Sequence, residues 1–339
     1  MSQLSNPAQT MAFCGIDVSA ATLAVAVVEQ DQPVQQHEFA NTAVGHRALI
    51  AWPGKRSPVA RVSLESTGIY SVDLALALDA APGIELAVLN PKAVHRFAQT
   101  LRRSKTDPAD AVALAEYSRR MPFTPWRAPS RSQLQLRALS RHIDTLTAEH
   151  TRTSNRLHAA QASSSTPSSI LQDMKRSLVS LHKRILRLRR AAIALVRADP
   201  TLHQHFQLLT TIPGVAEISA LQLLAETALL SPEMSVRQWV AHSGLDPAHQ
   251  LSGTSVNKPS RISRAGNRHL RRVIYMPALV AIQHDPHIRA FYRQLLARHK
   301  AKMQALIAVA RKLLHAIYGL FKTNTPYNGS KLFPNLSPS

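Results

Sequence analysis

The order of strand and helix signals in the first 120 residues constrains the fold of this chain most. Three runs with strand character are separated by short polar turns, namely Phe13–Val18, Leu23–Val28 and Val34–Phe39. Helical and strand signals then alternate over Val44–Trp52, Ala60–Leu64, Tyr70–Leu78, Leu86–Leu89 and Pro91–Leu101. The sequence therefore predicts an α/β domain with the order βββαβαβα, followed by a helix that starts near Asp107.

Four acidic residues lie at particular points of this pattern: Asp17, Glu65, Asp107 and Asp110. In an RNase H-like arrangement an early strand carries the first acid, the fourth strand the second and a last helix the others. We expect Asp107 to cap that helix and Asp110 to follow on the same face. Carboxylates gathered there favour Mg²⁺, with Mn²⁺ as a substitute. Taken singly, each acid also has an ordinary explanation as a turn, strand-end or cap residue.

The charge of the chain indicates a polyanionic partner. It has 41 Lys and Arg against 20 Asp and Glu, and a net charge of +21. Nucleic acid is favoured over membrane, since no segment has the roughly 18 consecutive apolar residues of a spanning helix. A merely soluble basic protein is the alternative. Cys14 is the single cysteine, so no internal disulfide is possible, and the first residues do not resemble a signal peptide. We expect a protein of a reducing cytoplasm.

Residues 130–198 change to a heptad period. The first apolar series is Leu136, Leu139, Ile143, Leu146, His150, Thr153 and Leu157, and the second is Leu171, Met174, Leu178, Leu181, Ile185, Leu188, Ala192 and Leu195. The Ser-rich segment 162–169 breaks both helices, so an antiparallel coiled-coil hairpin is predicted. Basic residues on the second helix suit subunit assembly or nucleic-acid binding, although a solvated basic face is also possible.

Two segments follow that carry candidate chemistry in a region predicted to be helical. Pro213 and Gly214 fit a helix-hairpin-helix turn that meets a phosphate, or an ordinary turn between helices. Ser252, in the segment Leu251–Ser255, is either a nucleophile or part of a loop that contacts the DNA backbone. Neither His242 nor His249 is an evident general base. Basic residues that follow can bind phosphate: Lys258, Arg261, Arg264, Arg268, Arg271 and Arg272.

Together these motifs resemble the DEDD-type insertion-sequence transposases of the IS110 class, which are understood as bridge-RNA-guided serine recombinases. The amino-terminal half of the resemblance rests on Gly15–Ser19, Glu65–Tyr70, Asn90-Pro91 and Lys105–Ala111. The carboxyl-terminal half rests on Ile212–Val215, Ser243–Leu245, Ser252–Ser255, Ser263–Asn267 and Leu270–Arg272. The resemblance extends from Gly15 to about Phe321.

The resemblance implies a RuvC-like first domain in which Asp17, Glu65, Asp107 and Asp110 bind Mg²⁺ near the scissile phosphate. Ser252 would then be the nucleophile that forms a phosphoserine link to DNA, with Thr254 and Ser255 as neighbouring hydroxyls. Each active site would combine domains of different subunits in a dimer to tetramer. An element-encoded guide RNA would pair with donor and target double-stranded DNA.

The expected domains are a RuvC or RNase H-like domain over 1–125, a coiled-coil linker over 126–200, a carboxyl-terminal transposase domain over 201–325 and a disordered tail over 326–339. Two other functions compete with recombination. One is a Mg²⁺-dependent nuclease of the Holliday-junction-resolvase type, which uses water instead of Ser252. The other is a nucleic-acid-binding protein without catalysis.

Overall fold

The computed structural model describes residues 12–29, 32–54, 60–66, 68–101, 106–252 and 256–333. For residues 53, 54, 249–252 and 256–259 it describes the backbone alone. The chain divides into two compact units after Ala128.

The first unit contains a mixed sheet and four helices. Its elements are β1 (Ala12–Val18), β2 (Thr22–Val28), β3 (Gln35–Ala40), α1 (Ala43–Gly54), β4 (Ala60–Glu65), α2 (Val72–Asp79), β5 (Ile84–Leu89), α3 (Pro91–Leu101) and α4 (Asp107–Arg120). The predicted order of strands and helices is confirmed. The unit is an α/β domain consistent with an RNase H-like fold.

The sheet has the strand order β3-β2-β1-β4-β5. The first three strands form an antiparallel meander, while β4 runs parallel to β1 and β5 runs parallel to β4. Short polar connections permit the meander, and the helical crossover through α1 permits the parallel pair. β1 therefore lies at the centre, and its carboxyl end lies beside that of β4.

The side chains of β1 alternate between two faces of the sheet. Cys14 and Ile16 are fully buried on the face that packs with residues of α1 and α2, such as Leu49 and Leu74. Burial raises the pKa of the Cys14 thiol to about 12, which keeps it protonated and inert. The other face carries Gly15 and packs against α4.

Gly15 allows α4 to approach the sheet closely. A Cβ atom at this position would lie 2.1 Å from the carbonyl oxygen of Ala111 and 2.3 Å from the amide nitrogen of Ala115. Ala26 on β2 packs against Ala111 and Val112 on the same face. Small residues on both elements thus bring the backbone of α4 almost into contact with β1.

The start of α4 differs from the prediction in one detail. Thr106, in extended conformation, is the capping residue, and its hydroxyl accepts a hydrogen bond from the amide of Ala109. Asp107 is instead the first helical residue, where its negative charge interacts favourably with the positive end of the helix dipole. The expectation that Asp107 caps this helix was wrong.

The second unit begins with two helices of 31 residues each, α5 (Arg131–Gln161) and α6 (Ser168–Ala198), which pack along each other in opposite directions. Every residue of the two predicted apolar series is buried or half-buried. The helical hairpin is therefore confirmed, and its turn falls in the predicted Ser-rich segment. A coiled-coil supercoil stays a prediction.

Further helices complete the second unit. They are α7 (Pro200–Thr210), α8 (Glu217–Thr227), α9 (Val236–Ser243), α10 (Arg268–Val273), α11 (Tyr275–His284), α12 (Pro286–Ala297), α13 (Lys302–Thr323) and α14 (Gly329–Leu332). One apolar core joins residues of the hairpin with residues of these helices, from Leu136 to Phe333. α13 is long and apolar enough to cross a membrane by composition, but half of its apolar window is buried inside this core, as in the central helix of a folded domain.

Two expectations for this unit were wrong. The carboxyl-terminal region is not wholly helical, and Leu251 and Ser252 do not belong to a loop, because an antiparallel hairpin is formed by β6 (Pro247–Ser252) and β7 (Val256–Ile262). Residues 326–333 are not a disordered tail, because Asn328 caps α14 and Phe333 is 5% exposed in the core. Residues 334–339 lie outside the described part of the chain.

Candidate functional site

Asp17 and Glu65 lie at the carboxyl ends of adjacent parallel strands. Ile16 pairs with Leu64 in the register of β1 and β4, and the two acids are the next residue on each strand. Each lies two residues after a residue, Gly15 or Ser63, whose position faces α4, so both acids are on that face. Both are half-buried and both have interaction partners. The sheet thus brings these two predicted site residues side by side.

Asp107 and Asp110 lie in the first turn of α4, where Asp107 is exposed and Asp110 is half-buried. Asp110 is one turn before Leu114, whose Cβ lies 2.7 Å from the position of a Cβ on Gly15. The helix face that carries Asp110 is therefore the face that packs on β1. The amide of Gln36 on β3 donates to the carbonyl of Pro108 over 3.4 Å, which attaches the start of the helix to the meander side of the sheet.

The two pairs of acids are not gathered into one metal centre. Within the described ranges, no three Asp, Glu, His or Cys side chains are placed so that they could hold a metal ion. The residue types still fit Mg²⁺, since all four are hard oxygen donors. The fold therefore supplies the donors on one face of one domain, but it brings only Asp17 and Glu65 to neighbouring positions.

Ser252 is the last residue of β6 and pairs with Val256 of β7. Its backbone is thus held at the far end of a two-stranded ribbon. Residues 253–255, which include the alternative hydroxyls Thr254 and Ser255, lie outside the described residues. The sequence suggested that Ser252 belongs to a loop, whereas the structure places it in regular strand pairing.

A buried turn supports the base of this ribbon. Ser243 is fully buried and its hydroxyl donates to the carbonyl of Val240 over 2.6 Å. Gly244 follows with φ 67°, and a Cβ there would lie 2.6 Å from a guanidinium nitrogen of Arg271. That guanidinium donates to the Ser243 carbonyl over 2.9 Å. Arg271, which we expected to bind phosphate, therefore stabilises the turn that precedes β6.

The segment after β7 is tied to the same turn. The Ser263 hydroxyl donates to the Asp246 carboxylate over 2.5 Å, and the Ser263 amide donates to the Asp246 carbonyl over 2.9 Å. Arg264 then adopts φ 53°, which is rare for a residue with a side chain, and its amide donates to the Gly244 carbonyl over 3.1 Å. The chain that enters β6 and the chain that leaves β7 are thus bonded to each other at the base of the ribbon.

A buried carboxylate connects the residues at the base of the ribbon to the helical hairpin. The sequence did not predict this carboxylate. Glu226 on α8 is 4% exposed. It accepts two hydrogen bonds from Arg141 on α5, at 2.8 and 2.9 Å, and one from the side chain of Asn267 at 2.6 Å. Asn267 caps α10, and its backbone amide donates to the His242 carbonyl over 2.6 Å. The visible signal was an acid in the last turn of the apolar helix 217–227, but nothing in the sequence named its partners.

The electrostatics of this network keep Glu226 charged. Burial alone would raise the pKa of Glu226, but the hydrogen bonds from Arg141 and Asn267 outweigh it and the pKa is lowered. Burial lowers the pKa of His242, and it also lowers the pKa of His269, with the charge of Arg141 adding to the effect there. Both imidazoles are therefore neutral near pH 7. His242 lies on α9, and the side chain of His249 is not described.

The turn between α7 and α8 has a packing reason for its glycine. Gly214 has φ 91°, and a Cβ there would lie 2.7 Å from the Pro277 carbonyl and 2.9 Å from the Ala281 amide nitrogen on α11. Pro213 beside it is half-buried. Close contact with α11 explains Gly214 without a phosphate, and phosphate binding at this turn stays a prediction.

Most of the remaining predicted phosphate ligands face solvent. Arg261 at the end of β7, Arg264 after it, and Arg268 and Arg272 on α10 are exposed. Lys258 pairs with Gln250 in the ribbon, and only its backbone is described. The region around the ribbon therefore presents several uncovered guanidinium groups, as a nucleic-acid interface requires.

Two transposase family models match the chain. A model for the DEDD transposases of IS110, described as "Transposase", matches residues 14–162, which include the four acids. A model described as "Transposase IS116/IS110/IS902 family" matches residues 206–293, which include Gly214, the ribbon and α10. The matched regions therefore contain every residue predicted for the site.

Curated relatives agree with these models. A protein named "Pilin gene-inverting protein" from Moraxella bovis is 28% identical over 325 residues, which are 93% of this chain and 97% of the relative, and its namesake from Moraxella lacunata has the same identity and coverage. A 43.6 kDa protein of insertion element IS110 from Streptomyces coelicolor is 28% identical over 158 residues, 47% of this chain and 38% of the relative. The chain carries both transposase domains in their order, and it belongs to the IS110 family of transposases.

Proposed function

We propose that this transposase cleaves and rejoins donor and target DNA through a phosphoserine at Ser252. The observation that supports this most is the adjacent placement of Asp17 and Glu65 on one face of the sheet, in a chain that also holds Ser252 at the end of an anchored ribbon. The two carboxylates can bind a cation beside a phosphate, and the serine hydroxyl can attack that phosphate as a nucleophile.

The proposed chemistry balances without an external energy source. The Ser252 hydroxyl loses its proton and its oxygen forms a bond to phosphorus, while the bond from phosphorus to the 3′ oxygen of DNA breaks and that oxygen takes up a proton. A 3′-hydroxyl of another strand then attacks the phosphoserine and releases Ser252. Since one ester replaces another in each step, the phosphodiester energy is retained.

Asp17, Glu65, Asp107 and Asp110 are the proposed ligands of Mg²⁺, with Mn²⁺ as a substitute. When bound, the ion would supply charge stabilisation for phosphoryl transfer. The role of the chain itself is to hold two carboxylates at neighbouring strand ends and two in the first turn of α4. The exposed Arg261, Arg264, Arg268 and Arg272 would bind phosphate groups of the DNA, together with Lys258.

An element-encoded bridge RNA would pair with donor and target DNA, so that most of the sequence choice belongs to the RNA. The helical hairpin would join subunits into a dimer or tetramer. The protein would work in the bacterial cytoplasm at the nucleoid. The charge of +21 supports binding of both nucleic acids.

The relatives named for gene inversion favour recombination over a water-dependent nuclease. Inversion of a gene requires cut ends to be rejoined, and these relatives match this chain over 93% of its length. A nuclease that uses water would explain the acids but would leave the anchored serine ribbon without a role.

A plasmid recombination assay tests the proposal. Cells receive the element, its flanking transcript and one of four proteins: wild type, Asp17→Ala, Glu65→Ala or Ser252→Ala. We expect all three variants to lose recombination by at least a hundredfold, while circular dichroism shows an intact fold. Wild-type recombination by any one of them would remove that residue from the mechanism.

A further inference from the structure

A cleft at the base of the ribbon has the composition of a nucleotide-binding site. It has a volume of about 1200 Å³ and lies within the second unit, between the base of the β6–β7 ribbon, the end of α12 and the start of α13. Pockets of roughly 300–1000 Å³ hold small organic ligands, so this cleft has room for a nucleotide with its flanking phosphates.

The floor of the cleft is apolar and its rim is cationic. Leu245, Leu295 and Ile307 contribute to the floor, and Met303 on α13 is 56% exposed at the cleft although it is a large apolar residue. Four cationic side chains line the same cleft: Arg261, Arg264, Lys300 and Arg311. None of the described residues that line it is acidic. An apolar surface inside a basic rim suits a base and its phosphates, because bases stack on apolar and guanidinium surfaces while phosphates bind cations.

Left-handed backbone conformations occur on both walls of the cleft, at or next to a cationic residue. Arg264 on one wall has φ 53°, held by the hydrogen bond from its amide to Gly244. His299 on the other has φ 58°, and the next residue is Lys300, whose amide donates to the Leu295 carbonyl over 3.1 Å. The left-handed residue after α12 and the bond from Lys300 to Leu295 are a common way for a helix to end, so they define the path of the backbone on this wall. Lys300 and Arg264 thus start from defined backbone positions.

The position of the cleft indicates which nucleic acid enters it. Pro247 and Ile262 pair at the base of the ribbon, and Ser252 lies five residues further along β6. Five extended residues span about 17 Å. That distance equals about five nucleotides of a stacked DNA strand, at about 3.4 Å each. A strand attacked at Ser252 therefore reaches the cleft within a few nucleotides.

The geometry points to a subsite for one unpaired DNA nucleotide, about five nucleotides along the strand from the cleavage point, with its base on the apolar floor and its flanking phosphates on Arg264 and Lys300. This inference rests on the proposed function only for the identity of the strand. The cleft itself holds the nucleotide whether or not Ser252 is the nucleophile. Unpairing of DNA near the cut is thereby coupled to binding.

Two pairs of variants test the subsite with matched controls. Lys300→Glu changes the rim, and Lys302→Glu makes the same charge change at an exposed residue that does not line the cleft. Met303→Glu changes an apolar residue that lines the cleft, and Met276→Glu makes the same change at a methionine that is 55% exposed on α11 outside the cleft. All four positions are exposed, so the variants are expected to fold, which thermal unfolding checks.

The measurement is fluorescence anisotropy of the full chain with a labelled eight-nucleotide oligo(dT), and with oligo(U) of equal length. We expect Lys300→Glu and Met303→Glu to weaken oligo(dT) binding at least tenfold and their controls to weaken it less than threefold. Equal effects of cleft and control variants would overturn the subsite, and tighter binding of oligo(U) by tenfold would overturn the assignment to DNA. Because no cleavage is needed, a failure of the Ser252 chemistry leaves this result interpretable.

Discussion

At the scale of single residues, the most consequential group outside the predicted site is Glu226. It is buried among apolar helices, and its charge is compensated by Arg141 from α5 and Asn267 from the cap of α10. Three segments that are distant in sequence therefore meet at one carboxylate. A buried charge that loses its partner is strongly destabilising, whereas an exposed pair contributes little.

Removal of the Arg141 side chain should expose this dependence. We expect Arg141→Ala to lower the free energy of unfolding by about 3 kcal/mol, the low end of the cost of an uncompensated buried charge, because Asn267 still donates to Glu226. Arg152→Ala, at an exposed position of the same helix, should change it by less than about 0.5 kcal/mol. Urea unfolding monitored by circular dichroism measures both, and equal effects would refute the structural role of the pair.

The lowered pKa of Glu226 sets the direction of the pH effect. A carboxylate whose folded pKa is below its unfolded value stabilises the fold above the unfolded value, about 4.3, and loses that contribution as the pH falls through the folded pKa. We therefore expect the stability difference between wild type and Glu226→Gln to be large at pH 7 and to shrink below about pH 4. Glu217→Gln, an exposed acid on α8, is the control, and a pH-independent difference for Glu226→Gln would contradict the lowered pKa.

Substitution of Gly214 tests whether the turn between α7 and α8 serves helix packing or phosphate binding. We expect Gly214→Ala to destabilise the protein by about 1–3 kcal/mol without any nucleic acid, because of the positive φ and the 2.7 Å approach to the Pro277 carbonyl. Gly319→Ala, in the open surroundings of α13, should be neutral or stabilising. Differential scanning calorimetry compares the two. Unchanged stability with weakened DNA binding would instead support a phosphate role for the turn.

At the scale of elements, the helical hairpin has two regions with different burial. Its fully buried apolar residues are Leu136, Ile143, Leu146, Leu181, Ile185, Ala192 and Val196, all away from the turn. Near the turn the residues of the two predicted apolar series are only half-buried, and Ile170 is 44% exposed. The outer region therefore contributes little to the core of the second unit and remains accessible to another subunit.

Shortening of the hairpin tests its role in assembly. We expect replacement of residues 154–174 by a short turn to leave the melting temperature within a few degrees of wild type, because the buried layers remain. Light scattering after size exclusion should show that the oligomer dissociates to monomers. An oligomer of unchanged mass would exclude the outer hairpin as the assembly element.

The sequence predicted some elements well because their signals are local. Alternation in β1 and β2 and the heptads of α5 and α6 each indicate one period over many residues, so these elements were found within a few residues of their bounds. The β6–β7 ribbon was missed because Pro247–Ile262 contains polar residues, Gly and Pro with no apolar alternation. Its pairing depends on the anchors at Ser243, Asp246 and Arg271, which are tertiary.

At the scale of the whole molecule, the residues that carry the proposed chemistry were located by sequence, but their arrangement was not. The acids could be predicted because two fall at strand ends and two at a helix start. The hydrogen-bond network around Glu226 could not be predicted, because Arg141, Glu226 and Asn267 lie 41 or more residues apart in the sequence. Sequence patterns report which face is buried, whereas the pairing of polar groups depends on the complete fold.

The two units divide the proposed work between them. The first unit holds Asp17 and Glu65 at neighbouring strand ends beneath α4, and the second holds Ser252 at the end of an anchored ribbon with a basic cleft at its base. Recombination through a phosphoserine requires both, whereas hydrolysis by water requires only the first.

The most direct test is therefore a search for the covalent intermediate. The protein is incubated with Mg²⁺, the DNA of the element end and the flanking transcript, then digested, and its peptides are examined by mass spectrometry. The account predicts a nucleotide-modified peptide with the adduct on Ser252, absent from Ser252→Ala. Mg²⁺-dependent cleavage without an adduct, retained in Ser252→Ala, would contradict it and identify a water-dependent nuclease.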